Sequence, residues 1–293
     1  MKVNNQSHFF QLILATFCIS TSGALGKYID LPTPVVIWWR AILAALLLFL
    51  FCKYKKFNLK LSSKKDWTTI IASALLFCGH WIFYFYALKL SNVAIGMLAL
   101  FTYPIFSALL EPLLLKTKFD VTYLFLGILV LLGIYTLAPE FNLESAYTQG
   151  ILFGIASAIC LALRNILSKK LIASYNASAI MLYQISIIAI ILAPTLFFMD
   201  TSAIKTEFPY VIILALITTA IGHTLLVSSL KYFSVSTASI INSIQPIFGI
   251  IIAYLFLNEI PANKTLLGGC IILFTVVFES FRAQKKAKLK SAS

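Results

Sequence analysis

Only three histidines occur in the 293 residues of this chain, and two of them sit in matching contexts. "GHWIFYFYALKL" starts at Gly79 and "GHTLLVSSLKYF" at Gly222, so each Gly-His pair is followed about two helical turns later by Leu-Lys. Imidazole exchanges protons near neutral pH. The repetition of His80 and His223 in apolar surroundings therefore suggests one shared cavity, lined by both rings, with proton exchange as a candidate task. The plainer alternative is two neutral rings that cap carbonyls freed where prolines break neighbouring helices.

Those prolines are Pro104 in "TYPIF" and Pro246 in "IQPIF". Proline lacks an N–H and frees a carbonyl one turn earlier, and in a membrane that carbonyl needs a partner or a water-lined cavity. The two sites read either as breaks along a substrate path or as packing kinks. Tyr84, Tyr86, Trp81 and Tyr103 would give such a path aromatic walls, suited to amphipathic metabolites and cations, and Asn165 and Gln245 are polar groups expected to face it. Ser20, Thr21, Ser22 and Gly23 make one small, polar turn, for close helix approach or for cavity hydroxyls. Glu111 is a candidate for binding a proton or a substrate amine, or else an interfacial carboxylate paired with Lys116. Arg40 either attracts a substrate carboxylate or snorkels to outer headgroups. Arg164, with Lys169 and Lys170 just beyond it, is expected to snorkel.

The elements that must hold these groups are membrane helices. The chain is 60% hydrophobic and 11% charged, against about 25% charged in a soluble domain, and its mean hydropathy is +0.94. Ten apolar runs approach the roughly 20 residues that cross a bilayer: 8–27, 34–52, 67–88, 92–115, 120–138, 148–169, 177–198, 208–231, 235–257 and 264–281. No period-two alternation supports strands. The first run resembles a signal peptide in length, but no small-residue cleavage site stands out, so it is expected to be retained. The net charge of +13 does not indicate nucleic acid, because the basic residues cluster at span ends and in one tail. "KYKKFNLKLSSKK", "KTK", "SKK" and "RAQKKAKLK" fall on one side if the spans alternate, and Asp30, Glu140, Glu144, Asp200, Glu207 and Glu259 on the other. The lysine bias places both termini in the cytoplasm of a cell whose inner membrane the chain spans. The five cysteines form no CxxC pair, and neither a disulfide framework, a metal site nor a cofactor motif is expected.

The chain also matches itself at a shift of about 142 residues: Cys18 on Cys160, Lys27 on Lys169, Lys89 on Lys231, "YPIF" on "QPIF", Gly127 on Gly269. Each copy holds about five spans, so the second copy enters the membrane upside down. Residues 1–139 and 148–282 are expected to be two inverted five-helix repeats, followed by a basic tail at 283–293. Inverted repeats are a common architecture of secondary transporters, with the site near the midplane. The fold class expected is thus an all-α membrane protein of about ten transmembrane helices.

"WWRAILAALLL", "TYPIFSALLEPLLL" and "IQPIFGIIIAYLFLNEIPANKTLLGG" on this framework resemble the drug/metabolite transporter superfamily, EamA branch. The first repeat departs from the second at Thr117, which stands where Glu259 would have its mate. The resemblance implies a carrier, often an exporter of amino acids or related metabolites, with a cavity lined by spans 1, 3, 4, 6, 8 and 9. Uptake or exchange of nucleotide-like or sugar-phosphate molecules is the rival within transport, and Arg40 and Arg164 would then serve the anionic groups. A multipass membrane enzyme is a distant rival, since neither HExxH nor a clustered pair of carboxylates is present. No Walker motif points to ATP hydrolysis. Expected partners are a small-molecule substrate and the bilayer, with a homodimer left open.

Overall fold

The computed structural model describes residues 5–116, 121–137 and 142–292, and among these every regular element is helical. Glu140 and Thr117 lie outside the described residues. The helices are α1 (Asn5–Tyr28), α2 (Thr33–Tyr54), α3 (Lys64–Leu90), α4 (Val93–Leu100), α5 (Tyr103–Leu115), α6 (Thr122–Leu137) and α7 (Ala146–Leu171). They continue with α8 (Ala177–Leu192), α9 (Thr195–Phe198), α10 (Ile204–Ile213), a π-wound stretch (Leu214–His223), α11 (Thr224–Ser229), α12 (Val235–Asn242), α13 (Gln245–Leu257) and α14 (Asn263–Ala292). Seven segments are long and apolar enough to cross a membrane, and three shorter apolar helices add to them. They follow the ten runs expected from the sequence, with several expected spans built from two or three pieces. Large apolar side chains such as Leu46, Phe125, Leu131 and Phe256 remain exposed on the outside of the bundle. In a membrane protein that surface belongs to lipid.

Spans 4 and 9 break at matched places. α4 gives way to α5 at Phe101-Thr102, and α12 to α13 at Ser243-Ile244. The same tight bonds recur 142 residues apart: Ile105 N to Thr102 O at 3.1 Å and Ile247 N to Ile244 O at 3.1 Å. Pro104 and Pro246 stand in the first turn of α5 and α13. There the missing N–H has no intrahelical acceptor to lose, and the fixed φ suits the start of a helix. The prolines therefore begin the second halves rather than kink continuous helices.

The two halves of the chain interlock: α3 packs on α7, and α1 packs on the π-wound stretch and α11; α2 meets α8, and α6 meets α14. The two crossings use equivalent cysteines. A Cβ on Gly222 would come within 2.8 Å of Ile19 and 3.2 Å of the Cys18 Cβ, and one on Gly79 would meet Cys160 Sγ at 3.4 Å. Close approach thus requires glycine at 222, while Gly79 makes only an ordinary contact.

Candidate functional site

A small void of about 20 Å³, room for about one water, lies between the two halves of the chain. His80, Trp81 and Tyr84 of α3, His223 at the end of the π-wound stretch, Asn242 of α12 and Gln245 of α13 are among its lining residues. Both broken spans reach it at their breaks. The two histidines face the same interior space, and each is only 3% exposed.

One of the two rings has a hydrogen-bond partner among the described residues. His80 Nδ1 lies 2.7 Å from Ser157 Oγ, and that hydroxyl also stands 2.9 Å from the His80 carbonyl. The one hydroxyl proton of Ser157 goes to the carbonyl, so Nδ1 carries its own proton and donates. The partner comes from α7 rather than from a proline-broken span, which corrects the capping role considered for this ring. His223 Nδ1 has no partner among the described residues. Its ring stands edge-on to Phe77 and Trp81, at centroid distances of 5.0 and 5.7 Å.

Behind these rings sit two arginines. Arg40 is 1% exposed and Arg164 fully buried, so neither snorkels. The Arg40 guanidinium lies 3.9 Å over Trp81, with Nε donating to Thr219 Oγ1 at 2.6 Å and Nη2 to Thr218 Oγ1 at 3.0 Å. The π winding turns these adjacent hydroxyls toward one guanidinium; wide turns of this kind are frequent at functional sites. Arg164 lies 4.0 Å over Phe77. Its Nη2 donates to Gln184 Oε1 at 2.6 Å and its Nη1 to Asn165 Oδ1 at 3.1 Å. Gln184 passes the network on to Ser73 and Ser168 at 2.8 and 3.1 Å. Asn165 therefore supports Arg164 instead of facing the cavity. Snorkelling of Arg164 was the wrong expectation because the sequence does not show that Gln184 of α8 and Phe77 of α3 converge on it.

Tyr103 is likewise one layer back. Its hydroxyl accepts from Asn242 Nδ2 at 3.0 Å and donates to Ser239 O at 3.3 Å. Asn242 Oδ1 receives Thr16 Oγ1 at 2.9 Å and Gln245 Nε2 at 3.0 Å, tying α1, α12 and α13 together beside the void. Asn242 carried no sequence signal beyond its place next to the break.

Glu111 is not among the residues that line the void; its Oε1 accepts the Val235 N–H at 3.2 Å and caps α12. Its charge attracts Lys169. Lys169 Nζ donates to Leu230 O at 2.5 Å and Phe233 O at 2.8 Å, closing the end of span 8. The opposite end repeats this arrangement. Glu259 Oε2 accepts the Val93 N–H at 2.8 Å and attracts Lys27, whose Nζ donates to Leu88 O at 2.8 Å and Ser91 O at 2.9 Å. Lys27 and Lys169, Leu88 and Leu230, Ser91 and Phe233, Val93 and Val235 are all 142 apart. So are the left-handed residues Lys116 and Asn258 that end α5 and α13. Glu111 thus does for one end what Glu259 does for the other, from a position six residues out of register. The counterpart of Glu259 among the described residues is Glu111. Carboxylates on helix N-termini and ammonium groups on C-termini complement the backbone partial charges there.

A cleft away from the void, between α2 and span 8, has Leu47, Phe51, Leu216 and Ile221 among its walls. Their exposure places it on the outside of the bundle.

The chain matches the EamA-like transporter family twice, at residues 7–138 and 148–281. It is similar to proteins named S-adenosylmethionine uptake transporter from Rickettsia conorii and Rickettsia felis, at 25% and 27% identity, covering 96% of this chain and 95% of each relative. An uncharacterised transporter of Bacillus subtilis is 22% identical over 95% of this chain and 91% of its own length. One solved crystal structure shares the fold with a TM-score of 0.72 at 15% identity, covering 96% of this chain and 98% of the other. These matches, on a helical bundle whose spans suit a membrane, show that the chain belongs to the EamA-like transporter family.

Proposed function

We propose that this protein is a secondary carrier that moves small metabolites across the inner membrane by alternating access, with both termini in the cytoplasm. The observation that supports this most is the equivalence of the two end closures. A carrier must open to each side in turn at similar energy, and one device repeated upside down does so. Lys169 and Glu111 hold one end, Lys27 and Glu259 the other, around one central void. Opening either end separates an ammonium group from carbonyls and a carboxylate from an amide. Opening both would forfeit two such sets, which favours alternation over a continuous pore.

The cargo proposed is an amino acid or a derivative of one. The names of the Rickettsia relatives favour uptake over export as the direction, and S-adenosylmethionine joins the two cargo classes weighed from sequence, amino acids and nucleotide-like molecules. Counterflow tests the reading. Proteoliposomes loaded with unlabelled S-adenosylmethionine, methionine or a nucleotide sugar are diluted into the labelled compound. Accumulation above equilibrium for one of them is the expected result, and its absence for every metabolite in a broad extension of that panel refutes the carrier reading.

A further inference from the structure

We infer that the central void recognises its cargo through an oxyanion, held by Arg40, Trp81 and His223 under the field of two buried guanidinium groups. The inference rests on the carrier reading for the word cargo, but its chemistry stands on unpartnered groups. Arg40 Nη1, Trp81 Nε1 and His223 Nδ1 are all buried without a hydrogen-bond partner among the described residues. They belong to one cluster: the guanidinium lies 3.9 Å from the Trp81 ring centre, and the Trp81 and His223 rings are 5.7 Å apart. Trp81 and His223 line the void.

The three groups have a common chemistry. Arginine and the indole N–H donate and do not accept, and His Nδ1 donates in one of its two tautomers. A ligand that satisfies all three must bring lone pairs. A buried donor left unpaired costs about 1–3 kcal/mol, and more where the group is charged, so an acceptor that meets all three is favoured.

Charge points the same way. Arginine stays protonated in proteins. Arg40 and Arg164 both act electrostatically on His223, yet no described Asp or Glu lines the void. The partners of both guanidiniums are neutral: Thr218 and Thr219 for Arg40, Gln184, Asn165 and Met181 for Arg164. Two cations deep in a membrane protein without a counter-charge are expensive, and intramembrane charges of this kind mark substrate paths. Arg164 has its donors largely engaged, so it acts through its field as a positioning residue. Arg40 keeps a free Nη1 and is the contact. The oxyanion is a carboxylate or a phosphate ester of an organic metabolite, and Trp81 and Tyr84 give the rest of the molecule an aromatic wall.

The test reads occupancy, not transport. Replacing Trp38, Trp39 and Trp67 by Phe leaves Trp81 as the sole indole in the full chain, reconstituted in nanodiscs. Its emission is titrated at equilibrium with acetate, acetamide, methyl phosphate, AMP and adenosine. A saturable change with acetate but not with acetamide assigns a carboxylate; one with methyl phosphate or AMP but not with acetate or adenosine assigns a phosphate ester. Arg40→Gln raises the midpoint at least about tenfold, as loss of one charge-assisted contact should. Arg40→Lys, which keeps the charge without the fork, falls between. If Arg40→Gln does not fold, the comparison of acid with amide in the Arg40 protein decides alone. No saturable response to any oxyanion, or equal responses to acetate and acetamide, overturns the inference. Oxyanion binding without counterflow would sink the carrier reading and leave this one standing; counterflow of a neutral compound with no oxyanion response would do the reverse.

Discussion

Lys169→Met should open one end of the molecule and leave the other shut. Lys169 Nζ makes hydrogen bonds of 2.5 and 2.8 Å to the carbonyls of Leu230 and Phe233 and is attracted by Glu111. A hydrogen bond to a charged group contributes about 1.5–3 kcal/mol. The carbonyls freed at an end of the bundle regain water, so the closed state should lose about 2–3 kcal/mol net rather than the sum. That is a shift of roughly 30- to 160-fold toward the form open at this end. Lys27→Met removes the equivalent set at the other end, to Leu88, Lys89 and Ser91, and should shift the equilibrium oppositely by a similar factor. The assay is labelling of Gln245→Cys, which faces the void, in a background lacking the five native cysteines. A membrane-impermeant maleimide is added to right-side-out or inverted vesicles. Lys169→Met should accelerate labelling from the side of the basic loops only, and Lys27→Met from the opposite side only. Acceleration from the same side in both variants, or in neither, would refute the assignment of these contacts as the two closures.

Glu111→Gln keeps an acceptor for the Val235 amide, so transport should persist with an unchanged profile between about pH 5 and 8; loss of gradient-driven transport at normal protein levels would restore Glu111 as a proton carrier. Pro104→Ala and Pro246→Ala stand in first turns where no N–H is needed, and their melting temperatures should stay near that of the native chain, whereas a mid-helix kink would predict a large change. Gln184→Leu strips Arg164 of two of its hydrogen bonds, both to one neutral oxygen, and should destabilise the bundle by about 1.5–3 kcal/mol in a detergent melt, the worth of a hydrogen bond to a charged group. Ser157→Ala removes the acceptor that fixes the His80 tautomer, and the ring's Nδ1 proton signal in NMR should shift or vanish while the fold is kept.

Much of the architecture was legible because hydrophobic run length and the shift of 142 residues are local or periodic signals. The two histidines could be assigned to one cavity for the same reason, and both line it. The arginines could not. Whether a guanidinium snorkels depends on what meets it from other helices, and Gln184, Thr218 and Thr219 lie 20, 178 and 179 residues away from the arginines they hold. The end closures were half visible. Lys27 and Lys169 aligned in the repeat, but Glu111 and Glu259 do equivalent work from unequal positions, which a fixed shift hides. Asn165 was misplaced because sequence gives depth along a helix far better than the direction in which a side chain points.

The claim at the centre is that the two ends open in alternation around one void. Pulsed electron–electron distance measurements in nanodiscs test it, with one spin-label pair across each end, on α3 against α13 near Lys27 and on α5 against α12 near Lys169. The account predicts two distances at each end, with Lys27→Met and Lys169→Met shifting the populations in opposite directions and lengthening only one end each. Both ends lengthening together in either variant, as in a pore, would contradict it.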